Sequence, residues 1–167
     1  MNQAIEARRS IRKFQPDKPV TKEQLNQLLA AAMLAPSAHN NRPWEFVAVT
    51  NRGVLDAVPD IHPYGKMFKT ATAGILVVGL PNLNLSNLFF PQDCSAATQN
   101  ILIEATAMGL GSCWCGIYPW EERIADFAEL FKIKEQGVPF CIIALGTPDG
   151  IPAQRGFFDQ AKVSYVE

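Results

Sequence analysis

Apolar positions recur along this chain with two periods, and the changes between them divide it into helices and strands. Residues 3–8 are compatible with a short helix. Thr21-Lys22-Glu23-Gln24 is a capping box: the Thr hydroxyl takes an orphan amide, and Gln three positions on reaches back. The helix it opens carries Leu25, Leu28, Leu29 and Ala32, which share one face at 3–4 spacing. It ends at Ala35-Pro36, since the residue before a proline avoids the helical region. Residues 46–49 read as a strand. Residues 59–65, with Pro59, Pro63, Tyr64 and Gly65, read as a loop. Residues 75–79 are apolar at every position, which places that strand mid-sheet with both faces covered. Residues 82–87 read as a polar loop.

Residues 92–108 form a long helix of Ala, Ile, Leu, Thr and Cys with very few charges, so it is buried nearly all round. In a chain this short, a subunit interface is the natural supplement to its cover. Gly109-Leu110-Gly111 stops it through positive-φ glycine chemistry. Residues 112–116 are short and extended. Pro119 sits near the start of another helix, with Ile124, Phe127, Ala128 and Phe131 on one face. Residues 140–145 are a third strong strand. Residues 149–167 hold few core candidates, only Phe157, Phe158, Val163, Tyr165 and Val166, and read as an arm that lies on something else, the partner subunit above all. With no repeat, linker or low-complexity tract, residues 1–167 read as one α+β or α/β domain.

Composition narrows the function classes. The chain of 167 residues holds 15 basic and 16 acidic side chains, a balance unlike that of a general nucleic-acid binder. No apolar run approaches the ~20 residues that a membrane helix needs; the longest, residues 74–80, is strand-sized. The N-terminus is polar and lacks the apolar core of a signal peptide, so a cytoplasmic location is the default expectation. Cys94, Cys113, Cys115 and Cys141 contain no C-x-x-C pair, and with only two histidines they do not build a zinc framework; they read as buried free thiols.

Three segments carry candidate chemistry. In Arg8-Arg9-Ser10-Ile11-Arg12-Lys13-Phe14, an extended backbone would put Arg8, Ser10 and Arg12 on one side. Two guanidiniums and a hydroxyl suit a phosphate; a solvated basic turn is the alternative. In Ala35-Pro36-Ser37-Ala38-His39-Asn40-Asn41-Arg42-Pro43-Trp44, prolines stiffen a loop whose Ser37, Asn40 and Asn41 can read a polar heterocycle. His39 there is either an assisting proton donor or a surface residue, and Trp44 belongs to the core. In Gly109-Leu110-Gly111-Ser112-Cys113-Trp114-Cys115-Gly116, glycines let backbone approach a ligand closely. No phosphate loop or dinucleotide fingerprint is present. Residues 62–69 and 82–90 are either pocket-lining loops or plain connections.

These three segments, in this order and spanning residues 5 to about 163, resemble the signature regions of the nitroreductase-like family of FMN-dependent flavoproteins, in its compact form without large inserts. The resemblance implies an α+β fold, an α/β/α sandwich with a central, mainly antiparallel sheet and helices on both faces. It implies an intertwined homodimer with FMN at the subunit interface. Arg8 and Arg9 then match positions that hold the FMN phosphate and ribityl chain, Ser10 a hydrogen-bonding position, and Arg12 the basic residue near the flavin pyrimidine. Pro36, Ser37, Ala38 and Asn40 match the loop that reaches the flavin from the other subunit. Trp114, Cys115 and Gly116 match the strand beside the isoalloxazine, with the Gly116 amide facing N5. Many members carry two basic residues spaced by one near the C-terminus; Arg155 matches the first, and Phe157 stands at the second.

The activity so implied is an FMN-dependent NAD(P)H oxidoreductase, using NADH or NADPH to reduce nitroaromatic, quinone or similar electron-poor acceptors by a ping-pong mechanism. Such chemistry needs no side-chain nucleophile, and none is evident; His39 and Glu45 are the ionisable residues near enough in sequence to assist proton delivery. Competing readings are a flavin-binding sensor or carrier without efficient turnover, a specialised relative such as a reductive dehalogenase or a flavin-consuming enzyme, and a basic-loop interaction module without a cofactor.

Overall fold

Helices begin where a side chain takes up orphan amides at their first turn. In the computed structural model, which describes residues 2–82, 88–153, 156 and 158–167, the Asn2 carboxamide accepts from the Ala4 amide at 2.9 Å and opens α1 (Gln3–Ala7). Thr21 opens α2 (Lys22–Met33) with both halves of the capping box: Gln24 N donates to Thr21 Oγ1 at 3.2 Å, and Thr21 N donates to Gln24 Oε1 at 2.9 Å. Asn51 caps α3 (Arg52–Ile61) through the Val54 amide at 3.1 Å. Helix α4 (Phe90–Ala107) has no side-chain cap; Pro91 stands in its first turn, where a missing N–H costs nothing. Helix α5 (Glu121–Phe131) ends where Lys132 turns left-handed.

Four strands, β1 (Trp44–Val49), β2 (Ala73–Gly79), β3 (Gly111–Gly116) and β4 (Val138–Gly146), form one antiparallel sheet in the order β1-β2-β4-β3. β2 and β4 lie centrally, which is why every β2 residue is buried. One face, with Ile75, Val77, Ile143 and Leu145, packs under α2 and α4. The opposite face, with Leu76, Val78, Ile142, Cys113 and Cys115, packs with α3, α5 and the side chains of Ile11 and Phe14. The three-layer sandwich with helices on both faces is the architecture expected. All four cysteines are buried free thiols, and Trp44 is a core residue.

One expectation changes. Pro59 lies inside α3 rather than in a loop. It falls near the helix end, so its missing N–H removes one late bond, and burial of Leu55 and Val58 outweighs it. Arg52 reinforces this corner by donating to the carbonyls of Ala71 and Phe68, which holds the 3-10 turn Lys66–Lys69 against α3. Helix α4 is covered largely by its own chain. What it leaves open is a stripe: Gln92 and Gln99 are exposed, with Ala96 and Ile103 half-buried between and beyond them. The described part of the 149–167 arm is largely uncovered, with Ile151, Phe158, Tyr165 and Val166 exposed. The polar loop expected at 82–87 falls outside the described residues, apart from Asn82. No helix among the described residues is long and apolar enough to cross a membrane.

Leu55 is 1% exposed. Leu55→Ala should therefore cost about 2–5 kcal/mol in a urea unfolding titration; a loss below about 0.5 kcal/mol would mean that residues 52–61 do not pack as a helix.

Candidate functional site

The site is built on the free edge of β3. Residues 8–14 run beside that edge: Ser10 bridges Ser112 in parallel, and Ile11 N donates to Ser112 O at 2.9 Å. Further along, Gln15 N donates to Thr147 O, and Asp149 N to Lys13 O, both at 2.9 Å. Two apolar side chains pin the segment, Ile11 over Gly111 and Phe14 over Gly146. A Cβ on either glycine would lie within 3.0 Å of those side chains, so the close approach depends on hydrogen in both places.

The pinning turns the cations outward. Arg8 is half-buried, and its guanidinium makes no hydrogen bond or ion pair among the described residues. Arg9 curls back, its Nη1 donating to Glu6 O at 2.6 Å and Arg8 O at 2.7 Å, while its buried Nε has no partner among the described residues. Arg12 is exposed and borders several hollows at once. A hollow of about 270 Å³ lies between Arg8, Arg9, Ser10 and Arg12. One of about 600 Å³ lies between Arg12, Lys13, Tyr64, Lys66, Met67 and Asp149. One of about 320 Å³ lies between Arg12, His62, Cys115, Gly116, Trp120 and Arg123. The ion pairs among the described residues, Arg52–Asp56 and Lys162–Asp159, involve none of these cations. Asp149 is the acidic side chain on their border. The trough is an unneutralised anion receptor.

Its floor is backbone. Residues of an antiparallel strand turn their N–H and C=O alternately toward and away from the neighbour. Ser112 O accepts from the Ile11 side and Gly116 O from the His62 side, so Ser112, Trp114 and Gly116 point away from β4. The amides of Trp114 and Gly116 therefore face the trough. Trp114 sends its indole to the opposite face of the sheet, edge-on to Phe140. Cys113 and Cys115 lie under the trough. A hydrogen bond with Cys115 brings the Cys113 thiol down to about 7, helped by Arg12 and Arg8 and opposed by burial, while Cys115 is pushed up by the same contact.

His62 was anticipated only as part of a loop, which does line the trough. It is 3% exposed. Its Nδ1 accepts from Tyr64 N at 3.2 Å, so its Nε2 carries the proton and donates to Gly116 O at 2.9 Å. Burial pushes its pKa down, opposed by the Gly116 hydrogen bond, with Arg123 adding to the downward shift. Asp93 and Arg123 were missed altogether. Asp93 was hidden as one of only two carboxylates in an otherwise uncharged helix, although that scarcity was itself the signal.

The loop expected to share the site lies elsewhere. Ala38 N donates to Asp93 Oδ1 at 3.0 Å at the start of α4, and Arg42 N donates to Ser37 Oγ at 2.9 Å. Arg42 Nε also donates to Asn40 Oδ1. Pro36, Ser37, Ala38 and Asn40 border none of the hollows around Arg12. His39 is exposed, with its ring against Phe89. Asp93 Oδ2 is buried without a partner among the described residues. One chain thus gathers Arg8, Arg9, Ser10, Arg12, Trp114, Cys115 and Gly116 and leaves the second loop apart. Arg155 and Phe157 lie outside the described residues.

A histidine whose native pKa is depressed makes the unfolded chain the better proton acceptor once pH falls below its ordinary value of 6.5. The stability from neutral His62 is thus complete above that value and is lost as pH falls through the native one. Between about pH 7.5 and about pH 5, urea unfolding should show wild type losing more stability than His62→Gln; equal losses would contradict a buried neutral imidazole.

Comparison with known proteins agrees with this geometry. The model of the Nitroreductase family matches residues 5–73 and 62–147. A protein of Methanothermobacter thermautotrophicus, named as a candidate NADH dehydrogenase/NAD(P)H nitroreductase, is 45% identical over 96% of this chain and 84% of its own. The crystal structure of a similarly named protein from Parabacteroides distasonis superposes with a TM-score of 0.92 at 34% identity, covering 98% of this chain and 95% of that one. A candidate nitroreductase from Desulfovibrio desulfuricans, solved in complex with FMN, superposes with a TM-score of 0.82 at 30% identity over 99% and 95% of the two chains. A sheet edge strapped by an arginine-rich segment, in a fold shared along nearly the whole chain, places this protein in the nitroreductase family.

Proposed function

We propose that the protein is an FMN-dependent NAD(P)H oxidoreductase that reduces flat, electron-poor acceptors such as nitroaromatics and quinones. The observation that carries this reading is the unneutralised arginine trough beside two outward-facing amides of β3. The donors fit the group. Arg8, with the unpartnered Nε of Arg9 and the Ser10 hydroxyl, suits a phosphate and a polyol chain. Arg12 places a permanent positive charge where an electron-rich heterocycle would lie, a preorganised effect that favours its reduced, anionic form. Trp114, Cys115 and Gly116 would flank the ring through backbone. Arg155 would add charge at the phosphate. Bound FMN would supply the hydride chemistry, and the chain's residues bind, orient and tune it.

The proposed working unit is a homodimer. Three features of the single chain support it: the open stripe on α4, the uncovered apolar side chains of the 149–167 arm, and the loop with Pro36, Ser37, Ala38 and Asn40, which lines none of the hollows of its own chain's trough. That loop would serve the partner's trough. NADH or NADPH and the acceptor would use the same open trough in turn, a ping-pong order.

The test is an absorption spectrum of purified protein before and after FMN, then with NADH or NADPH under argon. A bound-flavin spectrum that bleaches supports the reading. No binding overturns it, and binding without bleaching points to a sensor or carrier. Arg8→Glu should weaken FMN binding by at least about 30-fold, roughly 2 kcal/mol, measured by flavin fluorescence titration; unchanged affinity would remove Arg8 from the phosphate site. Ser37→Ala should weaken FMN several-fold, on the order of 1 kcal/mol, with the dimer intact by sedimentation; full affinity would separate this loop from the site.

A further inference from the structure

His62 is a buried titratable group that the proposed chemistry does not use, and it touches the strand end on which that chemistry depends. It sits after α3, and its ring is held edge-on to Phe127 of α5 and to Tyr64, with centroids 6.2 Å away in each case. Both ring nitrogens are committed, Nδ1 as acceptor and Nε2 as donor. The atom it grips is the carbonyl of Gly116, the last residue of β3. Glycine has the widest backbone freedom, and Gly116 has nothing within 4 Å of where a Cβ would stand. Beyond it the strand pairing ends in a bifurcation, with Ile117 N and Tyr118 N both donating to Phe140 O. The His62 bond therefore restrains the backbone of Gly116 on the same edge of β3 as its trough-facing amide.

We propose that His62 is a positioning residue for the redox centre: as a neutral imidazole, it fixes Gly116 so that the Gly116 amide presents a donor into the trough. This rests on the reading that FMN occupies the trough. The neutral state is required by geometry. An imidazolium would direct a second N–H at the Tyr64 amide, donor against donor, so protonation expels the ring from its seat and frees Gly116. The charged and titratable groups that share its hollow are Arg123 from α5, Cys113 and Cys115 from β3, Tyr118 just beyond β3, Tyr64 from its own loop and Arg12 across the trough. Arg123 opposes protonation, which keeps the clamp closed at neutral pH.

The experiment compares wild type, His62→Gln and His62→Phe as FMN-loaded protein, by stopped-flow reduction with NADH or NADPH from about pH 8 to about pH 5. Gln keeps a donor near the Nε2 position but does not titrate; Phe keeps the ring and loses the donor. Wild type should lose rate on the acid side, and His62→Gln should stay within about 3-fold of its neutral rate across the range. His62→Phe should be about 10-fold slower at every pH, with FMN affinity within about 3-fold of wild type. On the flavin-free protein, amide exchange at Gly116 should be faster in His62→Phe and near wild type in His62→Gln, with the imidazole ¹⁵N spectrum showing a bare Nδ1 at neutral pH. A folded, flavin-binding His62→Phe with the wild-type rate and Gly116 exchange overturns the proposal, as does an acid limb that persists unchanged in His62→Gln. If His62→Phe does not fold, the acid limb of His62→Gln and the ¹⁵N spectrum decide. Wild type that binds no FMN overturns the functional reading itself, whereas flavin-binding wild type with insensitive variants overturns this assignment alone.

Discussion

The hydrogen bond from the Ile11 amide to the Ser112 carbonyl sets the register of everything else in the trough. It closes the exposed edge of β3 with a segment rather than a strand, and edges left open invite unwanted pairing. With Ile11 and Phe14 buried against the sheet, Arg8, Arg9 and Arg12 have no room inward and gather on the outer side. A cluster of like charges costs self-repulsion. Here that cost is borne by apolar anchoring, with Arg12 set between the buried Ile11 and Phe14 and Arg8 and Arg9 just before them.

Much of this was legible before any coordinates. Periodicity and capping chemistry located α2, α4 and the strands, because those signals are local: the Thr21–Gln24 box is a contact three residues long. The arginines and the Gly-rich turn were legible as motifs because glycine and arginine have few substitutes in close backbone approach and in anion binding. Helix α3 was not, because Pro59 was read as a breaker while the spacing of Val54, Leu55, Val58 and Ile61 already marked an apolar face. His62 was not, because nothing in sequence links it to Gly116 across 54 positions. A lone histidine gains meaning only from the groups that meet its two nitrogens. Trp114 shows the limit of a motif in another way: its backbone serves the trough while its side chain packs on the other face of the sheet.

The site also divides its labour between rigid and chemical parts. Cys113 and Cys115 lie beneath the arginines, and the positive charge of Arg12 and Arg8 pulls the Cys113 thiol downward against its burial. Both are confined by β3 and Met67, whose thioether is 3.7 Å from Cys115 Sγ. The polarisable sulfur layer lies between a charged surface and the apolar interior, and it grades one into the other.

The loop around Ser37 carries three non-glycine residues, His39, Asn40 and Arg42, with φ of 54°, 55° and 49°. Each such conformation costs on the order of 1–2 kcal/mol in an L-residue. Asp93 and Ser37 hold the loop there within a single chain. Its shape is therefore held by contacts within one chain. A surface ordered in advance loses little freedom on association, so this loop acts as a rigid template, and whatever docks on it must adapt its own shape.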